Sequence, residues 1–214
     1  MKKIIIFGAS GGTGMEVVKQ ALEAGYRLTA VVRDPSTFSY TGLHSSSLKT
    51  IKGDVLDLSS FADAMAGQDA VISALGSRGI KPTRLYSKGI SNILSAMSRH
   101  NITRIVCISA GALDINPKMG LFVRLLTRFV LQPILKEPYA DLRLMEKEIQ
   151  QAGSGYTIVR PPMLKDKKIT GKYRVAVNDH IVRPFSIARA DLAHFIVNHI
   201  SDTETYRSIV EISY

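Results

Sequence analysis

The chain has 214 residues, 45% hydrophobic and 21% charged, a balance that excludes a disordered or fibrous protein and gives one core to fill. Its formal charge of +10 favours anionic partners without choosing among nucleotides, nucleic acid and acidic lipid. A single cysteine, Cys107, excludes an internal disulfide framework and points to a reducing, cytoplasmic setting, and no run approaches the roughly 20 apolar residues of a membrane span.

The first element is the apolar run of residues 3 to 7, which Gly8 ends far short of a secretory segment and which reads as a strand buried on both faces. From Gly12 to Ala24 the period changes: Met15, Val18, Ala21 and Leu22 recur at helical spacing, and Gly25 supplies the stop. The joint between strand and helix is Gly8-Ala9-Ser10-Gly11-Gly12-Thr13-Gly14. Backbone amides and the helix dipole converge there on a point suited to a pyrophosphate. Gly8 allows the tight turn, Gly11 the approach of the phosphates, and Gly14 the close packing of helix on strand.

A second strand, Leu28 to Val32, ends at Arg33-Asp34. An acidic residue first after this strand selects the ribose hydroxyl of NAD, whereas an arginine accommodates the 2′-phosphate of NADP. Arg33 comes first, and Pro35 gives Asp34 a turn role, so the expected cofactor is NADP. Thr50-Ile51 marks a third strand, followed by Asp54 and Val55, placed to flank the adenine; the lesser alternative for Asp54 is to cap the next segment. Ala70 to Ile72 marks a fourth, followed by Leu75, Gly76 and Arg78, placed along the pyrophosphate and nearer ribose.

Ile90, Ile93, Leu94 and Met97 then define an amphipathic helix, and Arg104 to Ile108 a fifth strand ending at Ser109. Cys107, inside that strand, reads as a buried structural thiol. Met119 to Leu131 is apolar at helical spacing with two arginines, which suits core packing, a subunit interface or a lid beside the nicotinamide. Pro138 before Tyr139 marks a helix start. Tyr156 to Val159 is a sixth strand, residues 161 to 186 a loop-rich cap on the substrate side, Ile187 to Ile200 a helix, and Ile209 to Ile212 a last strand. The alternation predicts one α/β domain over 1–214, a doubly wound, mostly parallel sheet of the Rossmann type, with ligands at the carboxyl ends of the strands. The basic cluster Lys165, Lys167, Lys168, Lys172 and Arg174 lacks aromatic platforms and reads as a solvated loop, and the five histidines are dispersed, so neither nucleic acid nor a metal is expected.

These residues, with Gly53-Asp54-Val55-Leu56, Ala66 to Ile72, Leu75-Gly76, Ser109-Ala110, Pro161-Pro162, Gly171-Lys172-Tyr173 and Asp191 to Phe195, resemble the biliverdin reductase B or NADPH-dependent flavin reductase family. That family belongs to the atypical short-chain dehydrogenase/reductases. The resemblance covers nearly the whole chain and is weakest between Leu113 and Tyr139. It implies that Gly8, Ser10, Gly11, Gly12, Thr13, Gly14, Arg33, Asp54, Val55, Gly76, Arg78 and Ser109 touch NADPH, and that the Pro161-Pro162 backbone borders the nicotinamide. It also implies hydride transfer to a flavin, a quinone or a tetrapyrrole.

Most short-chain dehydrogenases use a tyrosine and a lysine four residues apart; the nearest approximation here is Tyr139 with Arg143, and arginine cannot relay a proton. A flavin or another conjugated acceptor needs little acid catalysis, so positioning suffices, with Ser109 as the expected catalytic contact. A non-catalytic NADP-binding regulator of the nitrogen-regulator-like type and a sugar-nucleotide isomerase remain open. The expected partner is a small-molecule acceptor rather than nucleic acid or membrane, for a monomer or homodimer.

Overall fold

The computed structural model describes residues 2–77 and 79–214. Strands β1 (Lys3–Phe7), β2 (Arg27–Val32), β3 (Leu48–Lys52), β4 (Ala70–Ser73), β5 (Arg104–Ile108) and β6 (Gly155–Arg160) carry the apolar runs seen in the sequence. Three short strands follow, β7 (Met163–Lys165), β8 (Arg174–Val177) and β9 (Ser186–Ala188), and β10 (Ser208–Ser213) comes last. The main sheet has the order β3-β2-β1-β4-β5-β6-β10-β8 and is parallel throughout except where β8 runs antiparallel to β10. β7 and β9 form a separate parallel pair.

Alternate residues of each central strand feed opposite layers. Ile4 and Ile6 face a core shared with α1 (Gly12–Glu23) and α6 (Arg189–Asn198), where Val17, Val18, Leu192 and Phe195 are buried. Ile5 and Phe7 face the second core, under α2 (Leu85–Arg99) and α5 (Lys136–Gln151), with Ile90, Ile93, Met145 and Ile149. Helices on both faces bury the central strands, which is why these read as continuous apolar runs, while the edge strands β3 and β8 stay partly exposed.

Three expectations need correction. The crossovers from β2 to β3 and from β3 to β4 use short 3-10 turns rather than helices. Part of the expected cap is sheet: β8 extends the main sheet, with Val210 opposite Val177. The helix expected to begin at Ile187 begins at Arg189, because Ser186–Ala188 pairs with Met163–Lys165.

At the amino edge of the strands, Arg104 is buried and its guanidinium donates to the carbonyls of Ile200 at 2.8 Å, Gly155 at 2.9 Å and His199 at 3.1 Å. It also lies 4.2 Å from the Tyr206 ring centroid. Burial lowers its pKa to about 10, so the group stays charged and ties β5, β6 and the end of α6 together.

Candidate functional site

The strand order reverses between β1 and β4, and their registered pairing, Phe7 with Ser73, brings Gly8 beside Ala74 and Leu75. Gly8 has φ +79°, and a Cβ there would stand 2.3 Å from the Ala74 carbonyl oxygen. A Cβ on Gly14 would stand 2.1 Å from the Gly8 carbonyl oxygen. Both positions therefore exclude any larger residue, and the turn draws α1 hard against β1. The helix starts on Gly11 without a side-chain cap and without an acid in its first turn, so its amino end keeps its positive partial charge for a ligand. Over that end lies Arg189, with Cδ and Nε 3.0 Å from where a Gly12 Cβ would be, paired with Asp166 at 2.6 Å. Arg189 escaped sequence reading because the pairing of β9, just before it, with β7 brings it to Gly12 and Asp166, both distant in the chain.

On the β2 and β3 side, Arg33 is exposed directly after β2 and has no ion-pair or hydrogen-bond partner among the described residues. Asp34 is engaged locally instead: its Oδ1 accepts from the Ser36 backbone N–H at 3.0 Å and from the Ser36 hydroxyl at 2.7 Å. Those hydrogen bonds from Ser36 hold the carboxyl below the usual range. Asp54 makes a similar local turn, accepting from the Leu56 N–H at 2.9 Å, but it does not cap the next segment: that cap is Asp57, whose Oδ1 accepts from the Ser59 N–H at 3.1 Å. Val55 is pinned through its carbonyl by the buried Asn92 at 2.9 Å, and Val55 and Leu75 meet across Gly89 of α2. A Cβ on Gly76 would meet open space. Arg78 lies outside the described residues.

On the β5 and β6 side, two backbone hydrogen bonds of 2.8 Å join Ser109 to Val159 and Gly111 to Pro161, setting Ser109 beside the Pro161-Pro162 segment. The Ser109 hydroxyl donates to Glu146 Oε1 at 2.5 Å. Glu146 is buried and also pairs with Arg160, whose third nitrogen reaches Asp114 at 2.7 Å. Burial opposes the charge on Arg160, and the two carboxylates outweigh it, raising its pKa further. This Ser109–Glu146–Arg160 network joins α5 to two strand ends, and no local spacing announces it.

Tyr139 is buried in the first turn of α5, and burial raises its pKa, with Arg143 only partly offsetting the effect. The Arg143 guanidinium is engaged by the Leu113 carbonyl. Cys107 is a buried thiol pushed up to about 12 by desolvation, as expected of a structural cysteine. The residues from Leu121 to Ile134 form α3 (Leu121–Leu126), a π-helical turn (Thr127–Leu131) and α4 (Gln132–Ile134). Core packing is overturned for this segment, because Thr127 alone in it is buried.

The parallel sheet thus brings the phosphate loop, Leu75, Val55, Ser109 and Pro161 to one rim, with Arg33 and Asp54 at its β2 and β3 end. A family model described as NAD(P)H-binding matches residues 8–203. A chloroplastic protein of Arabidopsis thaliana is 28% identical over 99% of this chain and 76% of its own length. A reductase of Aspergillus terreus is 26% identical over 92% of this chain and 90% of its own. A short-chain dehydrogenase/reductase of Veillonella parvula, solved in complex with NADP, superposes with a TM-score of 0.78 at 17% identity, covering 100% of this chain and 94% of that one.

Proposed function

Because this chain belongs to the NAD(P)H-binding family, we propose that it is an NADPH-dependent reductase delivering hydride to a flat conjugated acceptor, a flavin or a quinone. The observation that carries the choice of acceptor is the state of Tyr139: buried, raised in pKa, and followed four residues later by an arginine held on a backbone carbonyl. A ketone needs a proton delivered as hydride arrives, and a phenol so placed is poorly suited to give it. A flavin or quinone spreads the incoming electron pair over its conjugated system and takes its proton from water afterwards.

The choice of NADPH rests on Asp34, whose carboxylate is occupied by Ser36 and leaves Arg33 as the first charged group a ribose substituent meets. The dinucleotide, when bound, supplies the hydride from its dihydronicotinamide. The chain's own residues hold and orient it. Gly8, Ser10 and Gly11 shape the turn, with the Gly11 N–H donating to the Gly8 carbonyl at 3.0 Å, while Gly12, Thr13 and Gly14 offer the amides of the α1 terminus to the diphosphate, and Arg189 adds a cation above it. Asp54 and Val55 flank the adenine; Leu75 and Gly76 line the run toward the nicotinamide, bordered by Ser109, Pro161 and Pro162. The Aspergillus relative, a reductase by name, supports the reaction class.

Stopped-flow measurement of NADPH absorbance with FMN, FAD and a quinone tests the reading. Oxidation of NADPH by at least one acceptor is expected. Tight NADPH binding without turnover on any of them overturns it in favour of a regulator that senses the nucleotide.

A further inference from the structure

The segment from Leu121 to Ile134 turns its apolar side chains outward. Phe122 is 78% exposed, Leu121 and Phe129 67%, and Ile134 53%. A contiguous apolar surface of this kind marks a contact with something other than water. Its charge is one-sided: residues 115 to 136 contain no aspartate or glutamate, and although Lys118 is paired with Asp179 at 2.7 Å, Arg124, Arg128 and Lys136 remain as cations of the segment. The apolar rim continues onto the neighbouring loop, where the Arg183 N–H bonds the Lys118 carbonyl at 3.3 Å and Val182 and Phe185 are exposed.

We propose that this face docks on an anionic lipid bilayer, lying in its plane with Leu121, Phe122 and Phe129 among the upper acyl chains and the cations on the lipid phosphates. Length decides between lying and spanning. Leu121 to Ile134 extends about 21 Å as a helix, short of the roughly 30 Å hydrocarbon core. Apolar side chains interleaved with arginine are the pattern of interfacial helices. A second copy of this chain is the poorer occupant, because a two-fold contact would lay the segment on its own copy, bringing two sets of Arg124 and Arg128 into one interface with no carboxylate in either segment to neutralise them. The expectation of no membrane partner rested on the lack of a spanning run, which a surface-lying helix does not require. The inference stands apart from the reductase reading.

Co-sedimentation of the full chain with vesicles of phosphatidylcholine alone, or mixed with phosphatidylglycerol, tests it. Binding to the mixed vesicles alone, weakened by salt, is expected. Removing both charges in Arg124→Gln/Arg128→Gln should weaken it about twenty-five-fold, from about fivefold per cation. Phe122→Ser/Phe129→Ser should abolish it, with circular dichroism showing the fold retained. No binding to mixed vesicles, or equal binding to both kinds, overturns the proposal. So does a lipid-free dimer, by sedimentation velocity, that Phe122→Ser/Phe129→Ser converts to monomer.

Discussion

Ser109 gives its hydroxyl hydrogen to Glu146, so it meets a ligand as an acceptor and not as a proton donor. Ser109→Ala should therefore raise KM for NADPH more than it lowers kcat, and cost about 1 kcal/mol of stability in chemical denaturation. Glu146→Gln leaves Arg160 charged, buried and paired with Asp114 alone, and should cost about 3 kcal/mol. A kcat loss in Ser109→Ala with KM unchanged would return the hydroxyl to the chemical step.

Arg33→Ala should raise KM for NADPH by about tenfold to a hundredfold, the range of a charge-assisted contact to phosphate. KM for NADH should hardly move. Equal losses with the two nucleotides would show that Arg33 does not read the 2′-phosphate.

Tyr139→Phe should change kcat with a flavin by less than about threefold, since a general acid contributes about a hundredfold or more. A loss of that larger size would identify the phenol as a proton donor despite its burial.

What the sequence made legible was whatever is written locally. The glycine-rich turn between β1 and α1, the apolar runs of the central strands and the local turn made by Asp34 each sit within a few residues, and each forms where the reading placed it. Glu146 and Arg189 were missed because their partners lie far along the chain, at Ser109 and Arg160 for one and at Gly12 and Asp166 for the other. β8 was hidden in the expected cap because it lies at the sheet's edge, where Val175 and Val177 stay exposed and no continuous apolar run develops. Residues 119 to 131 misled by composition: hydrophobicity reports that a segment wants cover, not that the fold provides it.

Asp191 gives the fold a defined acid limit. Burial pushes its carboxyl up, and hydrogen bonds from Tyr214, Thr170 and Gly171 outweigh this and hold it below the usual carboxylate value. A depressed folded pKa stabilises above the unfolded value of about 3.9, and that contribution is lost as pH falls from there toward the folded value. Asp191→Asn should be less stable than the wild type at neutral pH, with the gap narrowing on acidification in urea melts below about pH 4. A gap independent of pH would assign the loss to packing.

The uncapped start of α1 reaches beyond the binding of a nucleotide. α2 has its first turn closed by Asp141, which accepts from the Tyr86 and Ser87 N–H groups, whereas no side chain among the described residues takes that role for α1. A dinucleotide that completes the helix favours the folded chain over the unfolded one, by about 2.7 kcal/mol at a hundred times its Kd. The transiently unfolded fraction then falls about a hundredfold, and with it exposure to proteases. Survival of the polypeptide itself would follow the size of the cell's nucleotide pool.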